Sequence, residues 1–182
     1  VIIVAVTGVT KCKIMKFYNR KTELQHLAQI RERAKATAQM AVISGRRRIG
    51  KTHLILKSLE REAFLYLFVA KKSEKLLCME FIEEAKQKLN IPVFGQITKF
   101  KDLFALLTEV SKTQHFTLVI DEFQEFASIN PAVYSEMQNI WDRNKHNSKM
   151  NLIISGSVYS LMKKIFENSK EPLFGRADER MV

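Results

Sequence analysis

The chain is short of the residues that staple, kink or interrupt a fold. Its 182 residues include two cysteines, three prolines, six glycines and one tryptophan. Cys12 and Cys78 lie far apart and form no C-x-x-C pair. That argues against a disulfide framework or a thiolate zinc site, and it fits a reducing, cytoplasmic setting. His26, His53, His115 and His146 show no metal-ligand spacing. There is no internal repeat, no low-complexity segment and no clear linker, so the length suits one domain with one sizeable core. No apolar run is long enough to span a bilayer. Residues 1–10 are apolar and strand-like but too short, and they lack the basic start and small-residue cleavage site of a secretory signal. Position 1 is not methionine. Met15 reads as a natural start, which makes residues 1–14 upstream of it, although they can also be an extra strand; residues 1–15 are read as an N-terminal extension and 16–182 as the expected domain. Acidic residues are also scarce: 19 Asp and Glu stand against 30 Lys and Arg, a net charge of +11. Such a balance favours anionic partners, whether nucleotides, nucleic acid or acidic membrane surfaces. The lysines are spread along the chain, so most read as solvated helix faces.

What the chain does contain is Gly45-Arg46-Arg47-Arg48-Ile49-Gly50-Lys51-Thr52. It fits G-x-x-x-x-G-K-[ST], the phosphate-binding loop of nucleotide-hydrolysing proteins. A backbone that wraps a triphosphate must turn several N–H groups inward, and glycine permits that approach. Lys51 is expected to reach the β- and γ-phosphates, with the Thr52 hydroxyl on Mg²⁺. The flanks agree. Met40–Ser44 is a short apolar run of buried-strand type, and 53–60 is a good helix former. A helix N-terminus under the phosphates adds its partial positive charge. The three loop arginines suggest nucleic acid at first sight, but phosphate charge and exposure beside the site explain them more simply.

Apolar runs at 63–69, 116–120 and 151–155 read as further strands, continuous as expected of strands covered on both faces. Helical spacing places helices at about 22–35, from Ser73 as cap to Asn90, at 99–112, from Asn130-Pro131 onward, and after Ser157. The last is expected to bury Val158, Leu161, Met162, Ile165 and Phe166. Alternation of this kind means an α/β fold, a parallel sheet between two helical layers. Residues 178–182 read as a strand just beginning.

The run Leu118-Val119-Ile120 delivers Asp121-Glu122 to the C-terminal edge of that sheet, where open α/β sheets bind ligands. Asp121 is expected in the Mg²⁺ shell. Glu122 is expected to orient and deprotonate an attacking water. Ser155 and Ser157, closing the fourth strand, can face the γ-phosphate, although Ser157 can equally cap the next helix. Arg176 is a candidate cation for transition-state charge, within the chain or across a subunit contact.

Together these residues resemble the archaeal-type ATPase family of P-loop proteins, in the class with an extra catalytic glutamate. The resemblance runs from about Lys16 to Val182. It rests on 17–24, on Gly45–Thr52, on Val119–Phe126, on Gln138–Asp142, on Ile154–Ser157 and on Pro172–Arg176. It implies a three-layer α-β-α P-loop NTPase fold with strand order 5-1-4-3-2, and it puts Asn19 and Arg20 near the adenine or ribose. Relatives continue past the fifth strand into a lid and a winged-helix region. The fifth strand is therefore expected to be incomplete or missing here, and the chain to be a fragment. The nucleotide site expected is Asn19, Arg20, Gly45, Arg46, Arg47, Arg48, Ile49, Gly50, Lys51, Thr52 and Ser155. Lys51, Glu122 and Arg176 are its catalytic members, and Thr52 and Asp121 hold the metal. The function expected is Mg²⁺-dependent ATP hydrolysis, with ATP and ADP as ligands. Two alternatives stand beside it: a nucleotide switch with negligible turnover, and a DNA- or RNA-associated ATPase. A homo-oligomer, and a protein or nucleic-acid partner held through a C-terminal region, are the further expectations.

Overall fold

Four apolar runs and a short polar segment near the C-terminus form one sheet in the computed structural model, which describes residues 20–60, 62–93 and 95–182. The expected N-terminal extension and Asn19 lie outside those residues. The strands are β1 (Gln39–Ser44), β2 (Phe64–Phe68), β3 (Phe116–Asp121), β4 (Met150–Gly156) and β5 (Glu179–Met181). Their spatial order is β2-β3-β4-β1-β5, and every pairing is parallel. This is the order 5-1-4-3-2, with β1 and its following loop inside the sheet. The helices are α1 (Lys21–Ala34), α2 (Lys51–Ser58), α3 (Glu74–Leu89), α4 (Phe100–Thr113), α5 (Phe126–Ile129), α6 (Ala132–Asn144) and α7 (Tyr159–Glu167).

The two-residue period of a strand sorts the core into two layers. Met40, Val42, Leu118, Ile120, Leu152 and Ile154 face α3, α4, α6 and α7. Ala41, Ile43, Val119 and Ile153 face α1 and α2 through Leu27, Ile30, Leu54 and Ile55. With both faces covered, β1, β3 and β4 are buried nearly end to end. The larger layer is rich in phenylalanine. Phe100 lies 6.3 Å from Phe104 and 4.6 Å from Phe126, ring centre to ring centre. Phe104 is fully buried, so Phe104→Ala should cost roughly 3–5 kcal/mol in a denaturant titration, through lost transfer energy and the cavity left behind.

Several expectations about this framework hold. Ser73 caps α3 by accepting from Leu76 N, and Asn130 Oδ1 accepts from Ala132 N at the start of α6. One differs. Leu161 is 37% exposed, and α7 buries Met162, Ile165 and Phe166 instead. The fifth strand is present and three residues long, in keeping with the strand just beginning that is read at 178–182. Asp178 fixes it to β1: its backbone N–H donates to Met40 O at 2.7 Å, and its Oδ2 accepts from Met40 N at 2.8 Å. Lys145 Nζ holds the other carboxylate oxygen at 2.8 Å. Among the described residues no helix is long and apolar enough to cross a membrane.

Candidate functional site

The chain leaves β1 at Ser44, turns through residues 45–50, and enters α2 at Lys51. Arg48 and Gly50 have positive φ, 66° and 87°. Left-handed residues within a loop are the conformations from which backbone N–H groups gather into an anion-binding concavity. Gly50 also caps α2, where a side chain would be strained. Lys51 is 7% exposed, and its Nζ donates to Gly45 O at 2.8 Å and Arg46 O at 3.0 Å. Burial pushes its pKa below the ordinary lysine range, and the charges of Glu122 and Asp121 pull it partly back.

The acidic pair arrives from β3, two strands away in the sheet. Asp121 is buried at the strand's end, and its carboxylate is held on three sides. Oδ2 accepts from Thr52 Oγ1 at 3.2 Å and from the Tyr66 hydroxyl, and Oδ1 accepts from Glu122 N at 2.9 Å. Burial and the adjacent Asp121 carboxylate raise the Tyr66 pKa, so the phenol stays a neutral donor. Glu122 adopts a left-handed backbone, φ 53° and ψ 39°. Such a conformation is unfavourable for a side chain larger than glycine and recurs at functional sites. One oxygen of its carboxylate accepts from Ser157 Oγ at 2.6 Å and from Gln124 Nε2. Arg47 Nε reaches the same serine hydroxyl at 3.4 Å.

A cleft of about 520 Å³ opens over these groups, lined by Arg47, Arg48, Gly50, Lys51, Thr52, His53, Asp121, Glu122 and Ser157. That volume suits a small-molecule ligand. A larger cavity of about 610 Å³ lies between α3 and residues 95–98. Its walls carry no phosphate-type loop, and its two carboxylates, Glu80 and Glu83, are each paired with a lysine, Lys72 and Lys86, so chemistry rather than size selects the site.

The fold therefore gathers Arg47, Arg48, Gly50, Lys51, Thr52, Asp121 and Glu122 into one place. Gly45 and Arg46 join through their carbonyls on Lys51. Ile49 is an exposed loop residue whose carbonyl accepts from Arg20 at 2.8 Å, which ties the start of α1 to the loop. Two expected residues are placed elsewhere. Ser155 is fully buried, does not line the cleft, and its hydroxyl has no partner among the described residues. Ser155 lies within β4, and the cleft receives Ser157, the first residue past the end of that strand, instead. Ser157 does not cap α7, which starts from Val158 without a side-chain cap. Arg176 does not line the cleft either. It grips Asp142 of α6 through Nε at 3.3 Å and a terminal nitrogen at 2.9 Å, and this partner raises its pKa. Sequence reasoning missed Tyr66 and Gln124. Both carried a faint signal: Tyr66 has the one polar group in the run 63–69, and Gln124 lies between Phe123 and Phe126, a strand end followed by buried aromatics.

A strand, glycine loop and helix at the centre of a parallel 5-1-4-3-2 sheet, beside an acidic strand end, define a P-loop ATPase fold. The chain belongs to the ATPase domain family found predominantly in Archaea, which it matches over residues 17–181. An uncharacterised protein of Methanocaldococcus jannaschii is 32% identical over 160 residues, covering 88% of this chain and 34% of that protein. A second uncharacterised protein of the same organism is 39% identical over 56 residues, covering 31% of this chain and 54% of its own length. The chain thus spans about a third to a half of these relatives. Among solved structures, a Walker-type ATPase of Pyrococcus abyssi aligns with TM-score 0.66 at 16% identity, over 90% of this chain and 53% of the other. Cdc6p of Pyrobaculum aerophilum aligns with TM-score 0.64 at 18% identity, over 91% of this chain and 46% of the other. At these identities the likeness is one of fold.

Proposed function

We propose that this domain binds Mg-ATP and hydrolyses its γ-phosphate with a water activated by Glu122. The observation behind the reading is the convergence of Lys51, Thr52, Asp121 and Glu122 from two separate strand ends on one cleft. The donors suit a hard divalent cation. Thr52 Oγ1 and Asp121 Oδ2 already lie 3.2 Å apart, and no cluster of three or more His, Cys, Asp or Glu is found among the described residues. Magnesium characteristically takes one or two protein oxygens and fills its shell with phosphate oxygens and water. Bound there, the ion neutralises charge that develops on the β- and γ-phosphates. Lys51 contributes a desolvated ammonium to the same phosphates, and Arg47 and Arg48 add charge at the rim. Glu122 accepts the proton of the attacking water as its oxygen bonds to the γ-phosphorus and the bond to ADP breaks. Arg20 steadies the loop next to Ile49. Arg176 enters this scheme only across a contact between two copies.

Wild-type protein should release phosphate from ATP with Mg²⁺ and lose that activity in excess EDTA, recovering it when Mg²⁺ is restored. A malachite-green assay beside a fluorescent-nucleotide titration checks this. Release that ignores EDTA, or no nucleotide binding with Mg²⁺ present, would defeat the proposal.

A further inference from the structure

Gln124 is an odd residue to find where it is. Its side chain is 2% exposed, on the short turn between Glu122 and α5, with Phe123 and Phe126 as neighbours in the chain. An apolar side chain of the same length would be the simpler choice for packing. The amide Nε2 donates to Glu122 Oε2, and Glu125 Oε1 lies within reach at 3.4 Å. The amide oxygen is buried and has no partner among the described residues. A buried acceptor left without a partner costs stability and calls for an explanation. Turning the amide over would give no relief, because it would set the carbonyl against the Glu122 carboxylate. The surroundings also make room for this amide. A Cβ on Gly156 would collide with Gln124 Oε1 and with Met162 Sδ. Tyr134 Oη donates to the Gln124 backbone carbonyl at 3.4 Å, which anchors the turn itself.

We infer that Gln124 is a positioning residue for Glu122. With Ser157 it binds one carboxylate oxygen from two sides and leaves the other for the attacking water. Glu122 needs such support because its left-handed backbone fixes where the side chain starts but not where it ends. Gln124 supplies this hold at the expense of its own unpaired oxygen. The inference rests on the proposed hydrolytic reading, since it assigns Gln124 a role in aiming the base.

Gln124→Met keeps the length and removes the amide. The expected result is a fall in kcat of about 10- to 100-fold, the range that misplacing a catalytic group produces. KM and the affinity for fluorescent ATP should be unchanged, and Tm should be equal to or above that of the wild type. A residue with a purely structural role would lower Tm instead. In the Glu122→Gln background, Gln124→Met should leave the residual rate unchanged, because the base that Gln124 aims is gone. An unaltered or raised kcat in Gln124→Met would overturn the inference, as would a second fall of similar size in the double variant. An independent arm needs no turnover. In nitrogen-15 spectra the Gln124 side-chain amide proton should resonate downfield in the wild type and move upfield in Glu122→Ala. An unmoved resonance would refute the hydrogen bond. If the wild type hydrolyses no ATP, the proposed function fails, while the spectroscopic arm still decides whether Gln124 holds Glu122.

Discussion

Lys51→Ala should bind ATP on the order of 100-fold more weakly than the wild type, or not measurably, because charge-assisted hydrogen bonds are each worth about 1.5–3 kcal/mol. The structure supplies the reason. The ammonium is nearly buried and is satisfied by the carbonyls of Gly45 and Arg46, so it is held over the loop and not loose in solvent. Its lowered pKa shows that burial disfavours the charge and that Glu122 and Asp121 only partly compensate. A triphosphate would bring the missing negative charge to the same spot. The sign of the stability effect follows. A lysine whose folded-state pKa lies below its unfolded value destabilises the fold while charged in both states. That cost is full below the folded-state pKa and fades as pH rises from there to the unfolded value. At neutral pH Lys51→Ala should therefore fold with a Tm close to that of the wild type, the relief of the charge offsetting the two lost carbonyl contacts. Calorimetric titration with Mg-ATP beside a thermal melt separates the two effects. Wild-type affinity in a folded Lys51→Ala protein would remove this cleft as the nucleotide site.

Glu122→Gln should do the opposite: retain ATP and lose turnover. General-base catalysis contributes typically 100- to 10,000-fold, so single-turnover hydrolysis should slow by about that factor. The amide keeps the size of the carboxylate and can still meet Ser157, whose hydroxyl can turn to accept as well as donate. It cannot take a proton from water. Binding should persist because Lys51, Thr52 and the loop backbone are untouched. Equal phosphate release from Glu122→Gln and the wild type would sink the assignment of Glu122 as base. A wild type that is already as slow as the variant would instead mark the domain as a nucleotide switch.

Much of this could be read from the chain. The order strand, loop, helix around Gly45–Thr52 followed from local composition, because a short apolar run and a good helix former are local properties. The alternation that makes an α/β sheet was legible for the same reason. The short α5 and the preceding turn at 123–125 were not, since they depend on Phe123 and Phe126 finding the phenylalanine layer. Leu161 fitted the helical period of α7, yet it sits at the margin of the covered face.

What the sequence alone determined is which groups are candidates for the chemistry. Lys51, Thr52, Asp121 and Glu122, the residues of the proposed mechanism, are picked out by residue type and by their places at a loop, a helix start and a strand end, which are local features of the chain. The tertiary structure decided how those groups are held. Tyr66 reaches Asp121 from β2, Ser157 reaches Glu122 from the end of β4, and Arg176 turns to Asp142 on α6. These partners are 34 to 55 residues apart in the chain. Tyr66 and Ser157 meet the acidic pair because parallel pairing lays β2, β3 and β4 side by side and brings their C-terminal ends to one edge, whereas Arg176 and Asp142 lie where the chain approaches β5 and β4. No local pattern encodes that meeting, whereas the packing of two helical layers on the sheet imposes it.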